Sequence, residues 1–350
     1  METLTLLTLI AVAIVVLFDY TNGFHDAANI VATVIASRAM APAQAVVIIG
    51  VFEFLGPLLG GTAVANTIGK FVELGDLPKL MSLTVLVSGL GGAIVWNLIT
   101  WWKGIPSSSS HALVGGLVGA VMLAVGGNHV VWGFMELFQH GHFTGVTKVL
   151  LALVLSPLAG FLVGFALHRL FSLAFRAARP RINGPLRWSQ YVTAAGLAFA
   201  HGANDAQKSM GILTLILLLG GHITRFEVPF WVILTCAVSL TLGILSGGWR
   251  IVRTLGFAIY KVRPLHALDS QLTSATVIFS ASLLGAPVST THVVASSIMG
   301  IGASERPKDV RWGKAREIAT TWLVTIPAAA FVAAVIYALI LAITHRGQLT

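Results

Sequence analysis

The sequence predicts an all-α, polytopic membrane protein made of two inverted repeats, with broken helices and two re-entrant hairpins. Three observations predict it. Hydrophobic residues make up 56% of the 350 residues and Asp, Glu, Lys and Arg only 10%, with a mean hydropathy of +0.87; soluble domains carry about 25% charged residues. Two polar motifs recur in the same order half a chain apart. The basic residues cluster in one alternating set of connecting segments, so the net charge of +9 reads as an orientation signal rather than a nucleic-acid footprint.

The repeats are found by pairing motifs. Asn22-Gly23-Phe24-His25-Asp26-Ala27 has its counterpart in His201-Gly202-Ala203-Asn204-Asp205-Ala206, and Gly104-Ile105-Pro106-Ser107-Ser108-Ser109-Ser110-His111 in Gly285-Ala286-Pro287-Val288-Ser289-Thr290-Thr291-His292. The offsets, 179 and 181, nearly agree. Residues 1–175 form the first repeat, 176–187 a basic cytoplasmic linker, and 188–350 the second repeat. Interrupted apolar runs at matching places in two halves mark a transporter binding site, because unwound backbone survives in a bilayer only against protein or a wet cavity.

Orientation follows from charge. Thirteen basic residues fall in 176–187, 250–263 and 305–316, whereas 63–80, 128–145 and 221–229 hold only Lys70, Lys79 and Arg225. The first three segments are therefore cytoplasmic. Residues 3–36 enter from outside as a broken helix, with no Lys or Arg before Arg38 to make a signal-peptide n-region. Residues 43–62 return, 81–127 form a hairpin dipping in from outside, and 146–171 cross inward. The second half repeats this upside down: 189–220 broken, 230–247 returning, 271–302 a hairpin from inside, 318–342 crossing out. The runs 81–102 and 271–285 are alternatively full crossings. Both termini lie outside a cell membrane. The single cysteine, Cys236, is a core residue.

The chemistry concentrates in the motifs. Asp26 and Asp205 are carboxylates near mid-membrane, where a charge costs at least about 2.5 kcal/mol and is functional by default. With Asn22, His25, His201 and Asn204 beside them they suit a hard cation or a proton. Ser108, Ser109 and Ser110, and Ser289, Thr290 and Thr291, each follow a proline break and open a helix. Hydroxyls, first-turn N–H groups and the helix dipole together make an anion cradle without Lys or Arg. His111 and His292 are equivalent, and either carry a proton, donate to the anion or bond a neighbouring helix. Glu53 has no acidic counterpart in the second half and is read as a proton or cation group. Asp19 is second-layer support. Lys208, three residues after Asp205, shares its helix face. The predicted oxyanion contacts are the six hydroxyls with Asn22 and Asn204; the predicted coupling residues are Asp26, Asp205, Asn29, Glu53, Lys208, His111 and His292. The residues by themselves specify a small oxyanion moving with a cation.

The stretches Asp19-Tyr20-Thr21-Asn22-Gly23-Phe24-His25-Asp26-Ala27-Ala28-Asn29 and Ala200-His201-Gly202-Ala203-Asn204-Asp205-Ala206-Gln207-Lys208 resemble the inorganic phosphate transporter family called PiT, and most closely its bacterial low-affinity branch. The resemblance covers essentially the whole chain. It implies an inverted-repeat symporter, usually a homodimer, with Asp26 and Asp205 essential and a glutamate at the place of Glu53. One departure matters: the family signature ends in Asn, kept at Asn29 but replaced by Lys208 in the second repeat. An ammonium there fills the space of a bound sodium and favours proton coupling, with phosphate or a neutral metal–phosphate complex as cargo. Other readings are a sulfate or similar oxyanion symporter, a passive channel, and an intramembrane phosphatase, which lacks an arginine clamp within the membrane. No enzyme activity, organic cofactor or nucleic-acid partner is expected.

Overall fold

The computed structural model describes residues 2–346. Thirteen α-helices follow in order: α1 Glu2–Ala36, α2 Pro42–Leu59, α3 Ala63–Ile68, α4 Lys79–Lys103, α5 Ser109–Val125, α6 Phe134–His140, α7 Gly145–Ala174, α8 Asn183–Gly220, α9 Phe230–Ser246, α10 Trp249–Arg253, α11 Pro264–Leu283, α12 Thr290–Glu305 and α13 Trp312–Arg346. A π-helical turn, Thr254–Ala258, extends α10. By length and composition five helices can cross a membrane (α1, α2, α4, α7 and α13), or six if α9 and the segment after its 63° bend count as one span. The chain is a multi-pass membrane protein. Its long helix α8 falls outside that group because it carries the polar site.

The duplicated sequence is visible in the packing. Helix α2 lies against α8, and its counterpart α9 against α1; α4 lies on α1 as α11 lies on α8; α5 packs on α13 as α12 packs on α7. Each contact is matched by the same contact with the halves exchanged. The repeats therefore interlock, each filling its partner's grooves, instead of standing side by side along the 176–187 linker. Helix α8 begins at Asn183, within that segment.

The broken helices are where the structure corrects the sequence. Residues 3–36 and 189–220 were expected to unwind at the aspartate motifs, yet α1 and α8 run through them as continuous helices. The motif glycines serve close approach. A Cβ on Gly23 would stand 2.2 Å from the Leu240 carbonyl oxygen on α9, and one on Gly202 would stand 2.3 Å from that of Glu53 on α2. Backbone so close leaves no room for a side chain, and an unbroken helix satisfies its own peptide groups. The real interruptions lie in the hairpins. Helix α4 ends at Gly104, in the left-handed region at φ 66°, and an extended segment carries the chain back to α5. The second hairpin turns at Gly285, φ 62°, and resumes at α12.

Candidate functional site

Both hairpin turns end at the same buried centre, between α1 and α8. Ser108 caps α5 by accepting from the His111 amide (3.1 Å), and Ser289 caps α12 by accepting from the His292 amide (3.3 Å). Their hydroxyls are thus occupied in the helix turns that they start. The next residues face the aspartates. Ser109 Oγ and Thr290 Oγ1 each donate to Asp26 Oδ2 (3.2 Å), and Thr291 Oγ1 donates to Asp26 Oδ1 (3.3 Å). Both hairpins therefore donate to one carboxylate, and the anion they hold is a side chain of the protein. Asn29 Nδ2 steadies this by donating to Thr291 Oγ1 at 2.9 Å.

Lys208 occupies the corresponding place in the second half. Its ammonium donates to Asp205 Oδ1 (2.8 Å), Ser110 Oγ (2.6 Å) and the Val288 carbonyl (3.0 Å). A carboxylate, a hydroxyl and a backbone carbonyl form the oxygen set that a hard cation takes. Ser110 in turn donates to the same Val288 carbonyl, so the ammonium ties the two hairpin tips together. Asp205, fully buried, also accepts from Asn22 Nδ2 at 3.4 Å.

His25 and Asn204, equivalent in the repeats, anchor their own hairpins. His25 Nε2 lies 3.3 Å from Thr100 Oγ1 and 3.4 Å from Ser107 Oγ, while its Nδ1 meets Asp26 Oδ1 at 2.7 Å. Asn204 donates to Ser282 Oγ (2.9 Å) and the Ala286 carbonyl (3.2 Å) and accepts from the Val288 amide. Asn204 is thereby engaged with the hairpin backbone, although the sequence placed it beside the anion. Asp19 accepts from Ser209 Oγ at 2.6 Å, supporting the residue after Lys208. His111 and His292 meet with their rings tilted by 35°, centroids 4.6 Å apart, with Trp322 stacked on His292 at 3.8 Å.

His201, placed by the sequence beside the aspartates but not among the coupling residues, is central here. Its Nδ1 is 2.6 Å from Glu53 Oε1, and its Nε2 lies between the two aspartates, 3.9 Å from Asp26 Oδ2 and 3.8 Å from Asp205 Oδ2. His201, Asp205 and Lys208 stand at i, i+4 and i+7, a single helix face, and that spacing was the available signal. One ligand atom from each of Asp26, His201 and Asp205 falls within 4.8 Å of the others, the spread of a cation site. Glu53 is reached because Gly202 lets α2 touch α8.

The chain matches known proteins over most of its length. The model of the Phosphate transporter family matches residues 22–183 and 175–333. The chain belongs to that family. It is 41% identical to the "probable low-affinity inorganic phosphate transporter" of Bacillus subtilis (strain 168), over 96% of this chain and 98% of the relative. It is 42% identical to the protein so described in Mycobacterium tuberculosis (strain ATCC 25618 / H37Rv), over 95% of this chain and 78% of the relative. A solved structure, "The sodium-dependent phosphate transporter", superposes with a TM-score of 0.86 at 25% identity, covering 96% of this chain and 99% of that one. The buried centre thus belongs to a transporter of phosphate, and the enzyme alternative falls away.

Proposed function

We propose that this phosphate transporter is a symporter whose coupling ion is the proton. The observation that carries the reading is Lys208. A sodium ion beside Asp205 needs the carboxylate, hydroxyl and carbonyl oxygens that the ammonium already holds. The second repeat brings its cation covalently attached, which leaves a titratable path as the exchangeable one. Glu53 and His201 supply that path. Glu53 passes a proton to Nδ1 of His201, and Nε2 presents one between Asp26 and Asp205.

Coupling to phosphate then follows from competition for donors. While Asp26 is ionised, Ser109, Thr290 and Thr291 donate to it. Neutralising that centre with a proton weakens the carboxylate as an acceptor and frees the hydroxyls to turn towards phosphate, next to the N-termini of α5 and α12. A dianion cannot enter a site of low dielectric alone; Lys208, the imidazolium of His201 and the two helix dipoles offset it. Ser110 and Asn22 complete the donor set. A second reading keeps the same site and adds a divalent cation as cargo, held by Asp26, His201 and Asp205, whose grouping favours it. Inverted repeats in the cell membrane, with both termini outside, place hairpin α4–α5 and hairpin α11–α12 in opposite leaflets.

The test is radiolabelled phosphate uptake into reconstituted vesicles, with proton and sodium gradients imposed separately. The wild type should respond to the proton gradient alone, and Lys208→Asn should acquire a sodium response. A wild type driven by sodium at constant pH would refute the role given to Lys208.

A further inference from the structure

Of the few basic residues near the face read as external, two converge on one cavity. A cleft of about 470 Å³ is lined by Asn66, Thr67, Lys70, Thr144 and Lys148 together with Gly285 at the turn of the second hairpin, and no acid is among its described lining residues. Lys148 Nζ donates to Thr67 Oγ1 at 3.2 Å, and Thr67 Oγ1 donates to the Gly285 carbonyl at 2.7 Å. Gly285 is packed hard against α3, since a Cβ there would stand 2.9 Å from the Ala63 carbonyl oxygen. Three residues further along the extended segment is Val288, whose carbonyl holds Lys208 in the core. Three residues span at most about 10 Å, so one strand of hairpin backbone separates this cleft from the buried centre.

We propose that this cleft is an external oxyanion vestibule: Lys70 and Lys148, the latter positioned by Thr67, with the hydroxyl of Thr144, collect phosphate from solution and hold it one peptide segment away from the transport site. Two ammonium groups with no facing carboxylate make a local positive potential, which raises the concentration of an anion at the cleft. The strength is modest because the site is open to water and salt. Such a site changes how often phosphate reaches the core from outside and leaves the core chemistry as it is. The assignment rests on the transport reading and sidedness proposed above.

The experiment compares wild type, Lys148→Gln, Lys70→Gln, the double variant and Lys148→Arg. Initial phosphate uptake is measured in intact cells and, from the opposite face, in inside-out vesicles. Each Gln variant should raise the outer KM roughly three- to tenfold with Vmax near wild type, and lose part of the dependence of KM on ionic strength. Lys148→Arg should restore the wild-type KM, and the KM from the inner face should not move. Lysines that serve only to anchor α3 and α7 at the membrane edge would leave the outer KM unchanged or lower Vmax alone, and either result overturns the vestibule. Equal KM shifts at both faces would place the effect in the core and overturn it too, and a shift confined to inside-out vesicles would overturn it by reversing the sidedness. Failure of the transport reading is separately visible as a wild type that moves no phosphate.

Discussion

Asp26 and Asp205 are equivalent in sequence but not in bonding. Asp26 collects three hydroxyls from both hairpins, whereas Asp205 holds an ammonium. Both Asp26→Asn and Asp205→Asn should abolish uptake while the protein still purifies as a folded monodisperse species, because Asn keeps the shape and removes the charge. Wild-type uptake by either variant would make that aspartate structural. Lys208→Met should be worse for stability than for shape: an unpaired buried carboxylate costs about 3–5 kcal/mol, to be read as a lower unfolding midpoint in detergent, and Lys208→Asn should recover part of it when sodium is added. Ser109→Ala removes one of several shared donors and should weaken phosphate by about 1 kcal/mol, a several-fold rise in KM. The aspartates, the lysine and the hydroxyl runs were legible in the sequence, since charge inside an apolar run and duplicated Pro–Ser/Thr breaks are local signals. The meeting of Glu53 with His201 was not: it joins residues 148 positions apart and depends on how closely two helices cross.

At the scale of elements, the glycines of the motif carry the lesson. The sequence predicts breaks in 3–36 and 189–220, where Gly23 and Gly202 stand, and loosening a helix is what glycine does when nothing packs on it. In the fold each lies at a crossing, Gly23 with Gly243 between α1 and α9, and Gly202 with Gly56 between α8 and α2. Propensity alone cannot separate a break from a contact. The prediction is specific. Gly202→Ala would push α8 off the backbone of Glu53, at an overpacking cost of about 1–3 kcal/mol, and would pull Glu53 away from His201. Uptake should fall and its pH dependence flatten, the latter being a change that simple loss of stability does not produce. If Gly202→Ala retains the wild-type pH profile, the Glu53–His201 contact is not the proton path. Glu53→Gln, which leaves the crossing intact, should flatten the same profile.

On the whole-molecule scale, duplication explains why the site is central. Because α2 packs on α8 and α9 on α1, neither half contains a complete site: Glu53 reaches His201, Asn22 reaches Asp205, and Thr290 and Thr291 reach Asp26 only across the interface between halves. Two repeats are read in the sequence from paired motifs, and an orientation for each from charge; the sequence carried no signal of how the halves pack together, since reciprocal packing leaves no local pattern. Inverted topology predicts that single cysteines near Ile182 and near His222, in a background lacking Cys236, label from the inner and outer faces respectively with an impermeant maleimide. Reaction of both from one face would contradict it. The central claim is that a proton replaces sodium because Lys208 fills the second cation place. Its most direct measurement is phosphate accumulation in sodium-free vesicles made alkaline inside. The account predicts accumulation that a protonophore abolishes and that added sodium does not increase; accumulation that appears only with a sodium gradient, and survives the protonophore, would contradict it.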